Sequence, residues 1–318
     1  MTWELVRLPI TLRSDFFRSY RRRLYVEFDS EPLVTTEEGT DSMHSIAIIN
    51  QKGGVGKTTT AVNLSAALAD KGYRVGLIDM DPQAHASLHL GASPEQGRQS
   101  VYDLLTGDAT LADVWHSVNS HLRVGPSHLD LAAAEVELAG VVGRELILRD
   151  KLASAANEFD FVFIDCPPSL GILTINALSA VDDVFLPLQP HFLALHGLSK
   201  LLQTVNLVAQ RLNSRLRLAG VIFCLFDSGT KLASEVTADV GTFFENVRTQ
   251  KGIWEDARLF ETRIRRNIRL AESPSFGQSI FKYAPQSAGA EDYQNLAEEV
   301  ISLYAGQRVS NSTQLRAA

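Results

Sequence analysis

The sequence has few cysteines and no long apolar run, and each of these absences excludes certain kinds of protein. Its 318 residues include two cysteines, Cys166 and Cys224. Two isolated thiols in apolar stretches predict neither a disulfide framework nor a zinc site, and they favour a reducing compartment. No apolar run reaches the ~20 residues of a membrane span, and the N-terminus lacks a signal-peptide core. We therefore expect a cytoplasmic protein without stable membrane association.

Positive charge is scarce as well, because the formal net charge is -7. A protein coated in positive potential is excluded, so any contact with nucleic acid has to come from a local basic patch. Residues 1–42 differ from the rest, since an arginine-rich stretch is followed by an acidic, threonine-rich one with little capacity to bury a core. We predict an N-terminal extension over 1–42, disordered or non-native, with a functional basic arm as the alternative.

The remainder of the chain alternates short apolar strands with helical periodicity. Continuous apolar strands are typical of a parallel sheet that is covered on both faces. The sequence therefore predicts an α/β fold with a single doubly wound, mostly parallel β-sheet and helices on both faces. The predicted strands cover 46–49, 75–79, 161–165, 184–188 and 218–225. One domain is expected over 43–305, ending in an amphipathic helix at 290–304, and a polar C-terminal tail over 306–318.

A phosphate-binding loop follows the first predicted strand. The residues Ile-Asn-Gln-Lys-Gly-Gly-Val-Gly-Lys-Thr-Thr, numbered 49–59, open a helix. Glycines let backbone N–H groups turn inward around an anion, and the helix N-terminus adds partial positive charge. Lys57 supplies a cation for the β and γ phosphates, and the Thr58 hydroxyl is placed to bind Mg²⁺. The predicted nucleotide-binding residues are Lys52, Gly53, Gly54, Val55, Gly56, Lys57, Thr58 and Thr59.

Acidic residues end two of the predicted strands. Asp79 and Asp81 lie in Asp-Met-Asp-Pro-Gln, which places two carboxylates on one face at a carboxyl strand end. Asp165 ends the strand at 161–165 and precedes Cys-Pro-Pro. Ligands of doubly wound sheets bind outside the carboxyl ends of the strands, so all three aspartates are expected near the phosphate loop. A helix N-cap is the structural alternative for each of them.

The second lysine of the loop, Lys52, makes residues 52–58 resemble the deviant Walker A signature of the ParA/MinD ATPase family. The likeness covers about residues 45–300 and implies a P-loop NTPase fold that binds ATP and Mg²⁺ and forms a homodimer on ATP binding. By resemblance, Lys52 reaches the phosphates of the partner subunit and is catalytic together with Lys57. Asp81 positions or activates the attacking water, and Asp165 joins Thr58 in the Mg²⁺ site. The alternative for Lys52 is a solvated surface lysine.

Residues 266–277, Arg-Asn-Ile-Arg-Leu-Ala-Glu-Ser-Pro-Ser-Phe-Gly, are similar to the chromosome-partitioning ParA (Soj) branch of that family. In that branch this loop borders the adenine, so Asn267 is the predicted base contact. Four arginines are DNA-binding candidates, although the same pattern fits a solvated face or intramolecular ion pairs. They are Arg263, Arg265, Arg266 and Arg269.

The resemblance implies a nucleoid-associated ATPase that hydrolyses ATP to ADP and phosphate and segregates chromosome or plasmid DNA. Its implied partners are nonspecific double-stranded DNA and a ParB-like activator protein. The chain departs from the branch at Arg265, where a proline is usual, and in an insertion at 247–260. Lys231 is predicted to substitute for a phosphate-contacting arginine that the branch often carries, and His191 to be a packing or surface residue. A MinD-like positioner or an adaptor for a protein cargo is the alternative function, and a metabolic kinase is a more distant one.

Overall fold

The computed structural model describes residues 43–92, 98–191, 194–248 and 252–315, and the side chains of 194–196 and 306–315 are left undescribed. The predicted N-terminal extension at 1–42 lies outside the described residues, as does part of the insertion at 247–260. Within the described part of the chain, no helix is both long and apolar enough to cross a membrane.

The described strands form one sheet in the order β3-β4-β2-β5-β1-β6-β7-β8. All neighbours pair in parallel except β3 and β4, which are antiparallel. This arrangement confirms the mostly parallel sheet. The strands are β1 (His44–Ile48), β2 (Val75–Asp79), β3 (His116–Ser117), β4 (Leu122–Gly125), β5 (Phe161–Asp165), β6 (Asp183–Leu188), β7 (Arg217–Phe226) and β8 (Arg258–Arg265).

Helices connect these strands, together with short 3-10 turns at Leu138–Gly140 and Ser273–Phe276. The α-helices of the described residues are α1 (Lys57–Asp70), α2 (His85–His89), α3 (Val101–Thr106), α4 (Leu111–Val114), α5 (Leu131–Glu137), α6 (Ile147–Ala153), α7 (Ile172–Ala180), α8 (Ala194–Arg211), α9 (Lys231–Arg248), α10 (Ile268–Glu272), α11 (Ile280–Tyr283) and α12 (Ala288–Leu315). The last helix continues past residue 304, so the predicted tail is helical as far as Leu315.

Two apolar cores lie on opposite faces of the sheet. One contains side chains of α1, α2 and α12, and the other contains side chains of helices α3 to α9. Strands β2, β5 and β6 are buried along their whole length. Because each of these strands meets a core on both sides, its sequence is apolar without alternation.

Helix α1 carries the phosphate loop at its N-terminus and stops in a well-defined motif. Gly72 adopts φ +90°, Tyr73 N donates to Leu68 O at 3.2 Å, and Gly72 N donates to Ala69 O at 2.9 Å. These two bonds form a Schellman motif, which satisfies carbonyl groups that a helix end leaves open. Gly72, in the left-handed conformation that favours glycine, therefore ends α1.

Strand β8 is an irregular edge strand that the sequence reading did not include among its strands. Its register against β7 shifts twice, between Val221 and Phe223 and again between Phe223 and Phe226. Backbone N–H groups of β8 are satisfied from α12: Glu261 and Thr262 donate to the Glu299 carboxylate at 2.8 and 2.7 Å. The α12 side chains thus cover donors that an exposed edge would leave open.

Candidate functional site

The phosphate loop lies between β1 and α1, at the carboxyl end of the central strand. Gly54 and Gly56 have φ of +71° and +96°, a left-handed conformation that favours glycine. A Cβ added to Gly56 would lie 3.2 Å from Cys224 Cβ of β7. Gly56 is therefore fixed both by its backbone angle and by the close approach of the neighbouring strand.

Lys57 is held inside this loop. The residue is only 7% exposed, and Nζ donates to the carbonyl oxygen of Lys52 at 3.3 Å. Burial lowers the pKa of Lys57, while the nearby carboxylates of Asp165 and Asp81 oppose that shift. A cation stripped of most of its water and bound to one carbonyl is well prepared to pair with phosphate oxygens.

Lys52 has an ordered backbone and an exposed side chain. Its N–H donates to Asn50 Oδ1 at 2.9 Å, and Asn50 Nδ2 donates to Pro187 O at 2.7 Å. The side chain of Lys52 lies at the surface, although its carbonyl points at Lys57. Lys57 therefore lies inside the loop, whereas the exposed side chain of Lys52 can contact a second molecule.

Asp165 is a buried carboxylate at the end of β5. The residue is 0% exposed, and neither carboxylate oxygen has a hydrogen bond of normal geometry. Burial and then the charge of Asp79 raise the pKa of Asp165 well above its usual value, whereas Thr58 and Lys57 act to lower it. Leaving such a group without a strong partner is costly.

These residues fit Mg²⁺. A hard oxygen anion beside the Thr58 hydroxyl is the donor set that this ion takes when substrate phosphates and water complete its shell. No group of three or more His, Cys, Asp or Glu residues in the described ranges is arranged as a metal site. Asp165 and Thr58 would hold the ion, which would neutralise charge on the phosphates.

Asp79 and Asp81 have different surroundings. The Asp79 carboxylate is fully buried and accepts from Ser87 Oγ at 2.7 Å, Ser87 N at 2.9 Å and Asp81 N at 3.1 Å. Burial raises the pKa of Asp79 to about 6, and those bonds limit the rise. Asp81 is half-buried and accepts from Gln83 N at 2.9 Å. Asp79 thus holds the turn that presents Asp81.

The N-cap alternative is wrong for all three aspartates. Ala84 is the N-cap residue of α2, and Gly171 is that of α7. Ala84 has φ +55°, and its N–H donates to Asp81 O at 2.8 Å. A non-glycine residue in this region is uncommon and marks a turn that its surroundings hold in place.

Polar anchors of α1 were missed by the sequence reading. Thr60 and Asn63 are fully buried. Thr60 Oγ1 lies 3.1 Å from the hydroxyl of Tyr293 and 3.6 Å from Cys224 Sγ. Asn63 Oδ1 accepts from Ile280 N at 2.8 Å. Single polar residues within an apolar stripe carry no sequence signal of their partners, which lie more than 160 residues further along the chain.

The four arginine candidates fall into different environments. Arg265 forms ion pairs with Asp292 and Glu291, each at 2.6 Å, and Arg269 pairs with Glu272 at 2.8 Å. The guanidinium of Arg263 lies 4.6 Å from the ring centroid of Phe226. Arg266 is exposed and has no ion pair among the described residues. Intramolecular pairing therefore reduces the charge that this segment offers to DNA.

The remaining candidates are Asn267 in the same segment, Lys231 on α9 and His191 after β6. Asn267 is the N-cap of α10, with Oδ1 accepting from Arg269 N at 2.8 Å, and its contact with a base stays a prediction. Lys231 begins α9 and is 3.5 Å from Glu235, and His191 is exposed.

Comparison with known proteins matches this site to one family. Residues 43–218 match the sequence profile described as an AAA domain. The sporulation initiation inhibitor protein Soj of Bacillus subtilis is 45% identical over 258 residues, covering 81% of this chain and 98% of Soj. The chromosome-partitioning ATPase Soj of Treponema pallidum is 44% identical over 259 residues, covering 81% and 97%.

A solved structure supports the fold and the ligands. Cobyrinic acid a,c-diamide synthase from Mycobacterium smegmatis, with bound ADP and magnesium, superimposes with a TM-score of 0.69 at 34% identity. The match covers 83% of this chain and 96% of that one. That protein therefore holds an adenine nucleotide together with magnesium in a fold similar to this one.

Proposed function

Because the chain belongs to the ParA/Soj family of P-loop ATPases, we propose that ATP closes it into a homodimer that binds DNA without sequence preference. Hydrolysis to ADP and phosphate then releases the DNA, and a ParB-like protein stimulates that step. This cycle would segregate chromosome or plasmid DNA at the nucleoid. The observation that carries the proposal is the pair of lysines in one loop, with Lys57 buried in it and Lys52 exposed beside it.

Dimerisation is supported by exposed apolar residues near the site. Leu129, Val136 and Val142 are 65%, 78% and 100% exposed; Val136 lies on α5, Leu129 precedes that helix and Val142 follows it. That helix is close to the segment after Asp165, because a Cβ added to Gly171 would meet the Glu135 carboxylate. Exposed apolar side chains of this kind are candidates for burial by a second copy. A second copy that covers them would approach the catalytic edge from which Lys52 is exposed.

The chemistry proposed for the site divides into binding and hydrolysis. Backbone N–H groups of residues 53–59 and the Lys57 ammonium bind the phosphates, and Thr58 and Asp165 hold Mg²⁺. Lys52 from the partner copy stabilises negative charge on the transferred phosphoryl group. Asp81, positioned by Asp79, orients the attacking water. We further propose that Asn267 contacts the adenine.

DNA binding is proposed to centre on Arg266, which is exposed and has no ion pair among the described residues. The overall acidic charge of -7 does not prevent contact at short range, because screening limits charge effects to about 8–10 Å at ordinary ionic strength. Phosphate contacts carry no base code, so binding should be independent of sequence and steeply dependent on salt.

The test is salt-dependent binding to a random-sequence duplex with ATP, with ADP and without nucleotide. Wild type is compared with Lys52→Ala and Arg266→Ala, and Arg215→Ala serves as a control because Arg215 is exposed and paired with Asp182 on another part of the sheet. ATP-dependent binding that is lost in the first two variants and kept in the control supports the proposal. Equal binding of wild type in all three nucleotide states at low salt refutes it.

A further inference from the structure

We propose that a buried contact between His89 and Ser273 transmits the nucleotide state from Asp81 to residues 266–277, the arginine-bearing segment. The inference rests on the proposed function, because it assigns the residues through which ATP controls DNA binding. His89 ends α2, and Ser273 starts the 3-10 turn that follows α10. His89 Nε2 lies 3.1 Å from Ser273 Oγ, and the two residues are 1% and 0% exposed.

The first link of this junction joins α2 to the catalytic edge. Helix α2 begins four residues after Asp81, and the turn between them is closed by the bond from Ala84 N to Asp81 O at 2.8 Å. Ser87, in the middle of α2, donates twice to the Asp79 carboxylate and also accepts from Ser127 N at 2.9 Å. A displacement of Asp81 therefore acts directly on this short helix.

The second link joins α2 to the arginine-bearing segment, residues 266–277. A neutral imidazole has one donor and one acceptor, and His89 uses them on the Ser273 hydroxyl and the backbone of Gln278. Gly91, just after α2, lies against Gly277, where an added Cβ would be 3.3 Å from Gly91 Cα. The end of α2 and this segment therefore meet at a second point, through a close backbone contact.

The helices that follow this segment, α11 and α12, are attached to α1, which offers an alternative route for the coupling. Asn63 Oδ1 accepts from Ile280 N at 2.8 Å, and Thr60 contacts Tyr293 of α12. Helix α1 spans 14 residues and is buried along most of its length, so it moves as a rigid element. Helix α2 spans only five residues. Its position is set by the bonds from Ser87 to Asp79 and from Ala84 to Asp81, so it is the element that a change at the γ phosphate can displace. Coupling through α1 would not require Ser273.

The experiment measures coupling rather than affinity. Dissociation constants of the full chain for a random-sequence duplex are measured at one salt concentration, with Mg²⁺ and either a non-hydrolysable ATP analogue or ADP. The variants are Ser273→Ala and His89→Gln, singly and together. Ser179→Ala is the matched control, because Ser179 is also buried, and its hydroxyl has no hydrogen-bond partner among the described residues.

The quantity of interest is the ratio of the ADP to the ATP-analogue dissociation constant. Loss of one buried hydrogen bond is worth about 0.5–1.5 kcal/mol, which predicts a fall in the ratio of about two- to tenfold in each single variant. Affinity for the nucleotide without DNA should stay within about twofold, and the double variant should lose little more than either single one. By linkage, the factor by which DNA tightens nucleotide binding should fall equally.

Each outcome decides a separate question. A large wild-type ratio that stays unchanged in Ser273→Ala and His89→Gln overturns the relay while leaving the DNA switch in place. A wild-type ratio near one overturns the switch itself, and the relay with it. A ratio that falls equally in Ser179→Ala shows a general loss of rigidity and also overturns the relay.

Discussion

Replacement of Arg265 by alanine should destabilise the protein without changing how it binds DNA. The guanidinium donates to Asp292, to Glu291 and to the carbonyl of Ala288. Asp292 is only 4% exposed, so removing Arg265 leaves a buried carboxylate with one remaining partner, the Arg265 N–H at 2.8 Å. Breaking a fully buried pair costs about 3–5 kcal/mol, and exposed pairs contribute about 0–1 kcal/mol.

The Arg265 side chain is 46% exposed, which places this pair between those limits. We expect a loss of about 2 kcal/mol in the free energy of unfolding, measured by urea denaturation with an unchanged m-value. Arg269→Ala, which removes an exposed pair three residues apart on one helix, should have little effect on stability. Arg266→Ala should change stability by less than about 0.5 kcal/mol.

DNA binding by the same variants gives the second half of the test. Each phosphate contact contributes about 0.9 to the slope of log affinity against log salt. Arg266→Ala should lower that slope by about one, whereas Arg265→Ala should leave it unchanged. An Arg265→Ala protein that is as stable as wild type and loses a unit of salt slope would refute the reasoning, and would return Arg265 to the DNA surface.

Three further perturbations test the nucleotide site. Gly56→Ala places a side chain on a residue with φ +96° and against Cys224. It should cost about 1–3 kcal/mol of stability and weaken nucleotide binding in calorimetry. Gly53→Ala, where the added methyl group meets open space, should leave stability unchanged. Lys52→Ala should abolish dimerisation with ATP in sedimentation while the monomer still binds ATP. Lys71→Ala, at the opposite end of α1, should dimerise normally because Lys71 pairs with Glu298. Burial raises the pKa of Asp165 in the folded protein, and it raises the pKa of Asp79 from 3.8 to about 6. The folded, nucleotide-free protein therefore binds more protons than the unfolded chain, and its stability falls as the pH rises from about 3.8 to about 6 and beyond. Asp165→Asn should reduce this loss, raise stability at pH 7 and abolish hydrolysis, and a variant less stable than wild type at pH 7 would contradict the assignment.

Much of the fold followed from the sequence because the central strands meet a core on both faces. Strands β2 and β5 lie where the apolar runs predicted them, and the phosphate loop sits between β1 and α1 as its glycines indicated. Strand β8 escaped detection for a physical reason. Its buried residues Phe260 and Ile264 are four apart, a helical spacing, and charged residues stand at several positions between and beside them.

The phosphate loop and its aspartates were also easier to predict from the sequence than the tertiary contacts that hold the neighbouring elements in place. Glycine, lysine and aspartate at fixed spacing describe a loop that one segment of chain forms almost alone. The partners of Thr60, Asn63 and Arg265 are instead set by tertiary packing, which no local pattern encodes. For the same reason, the charge pattern could not distinguish arginines open to DNA from arginines already paired with α12.

The bond between Thr60 and Tyr293 has a consequence for the order of events during synthesis. All three phosphate-site motifs are translated once residue 165 has been added, but the first turn of α1 packs against a helix that begins at Ala288. At about 5–20 residues per second, more than a hundred residues must still be added, which takes several seconds or longer. A nascent chain would therefore contain all three phosphate-site motifs before its ATP site is complete. It would bind nucleotide only when α12 leaves the ribosome.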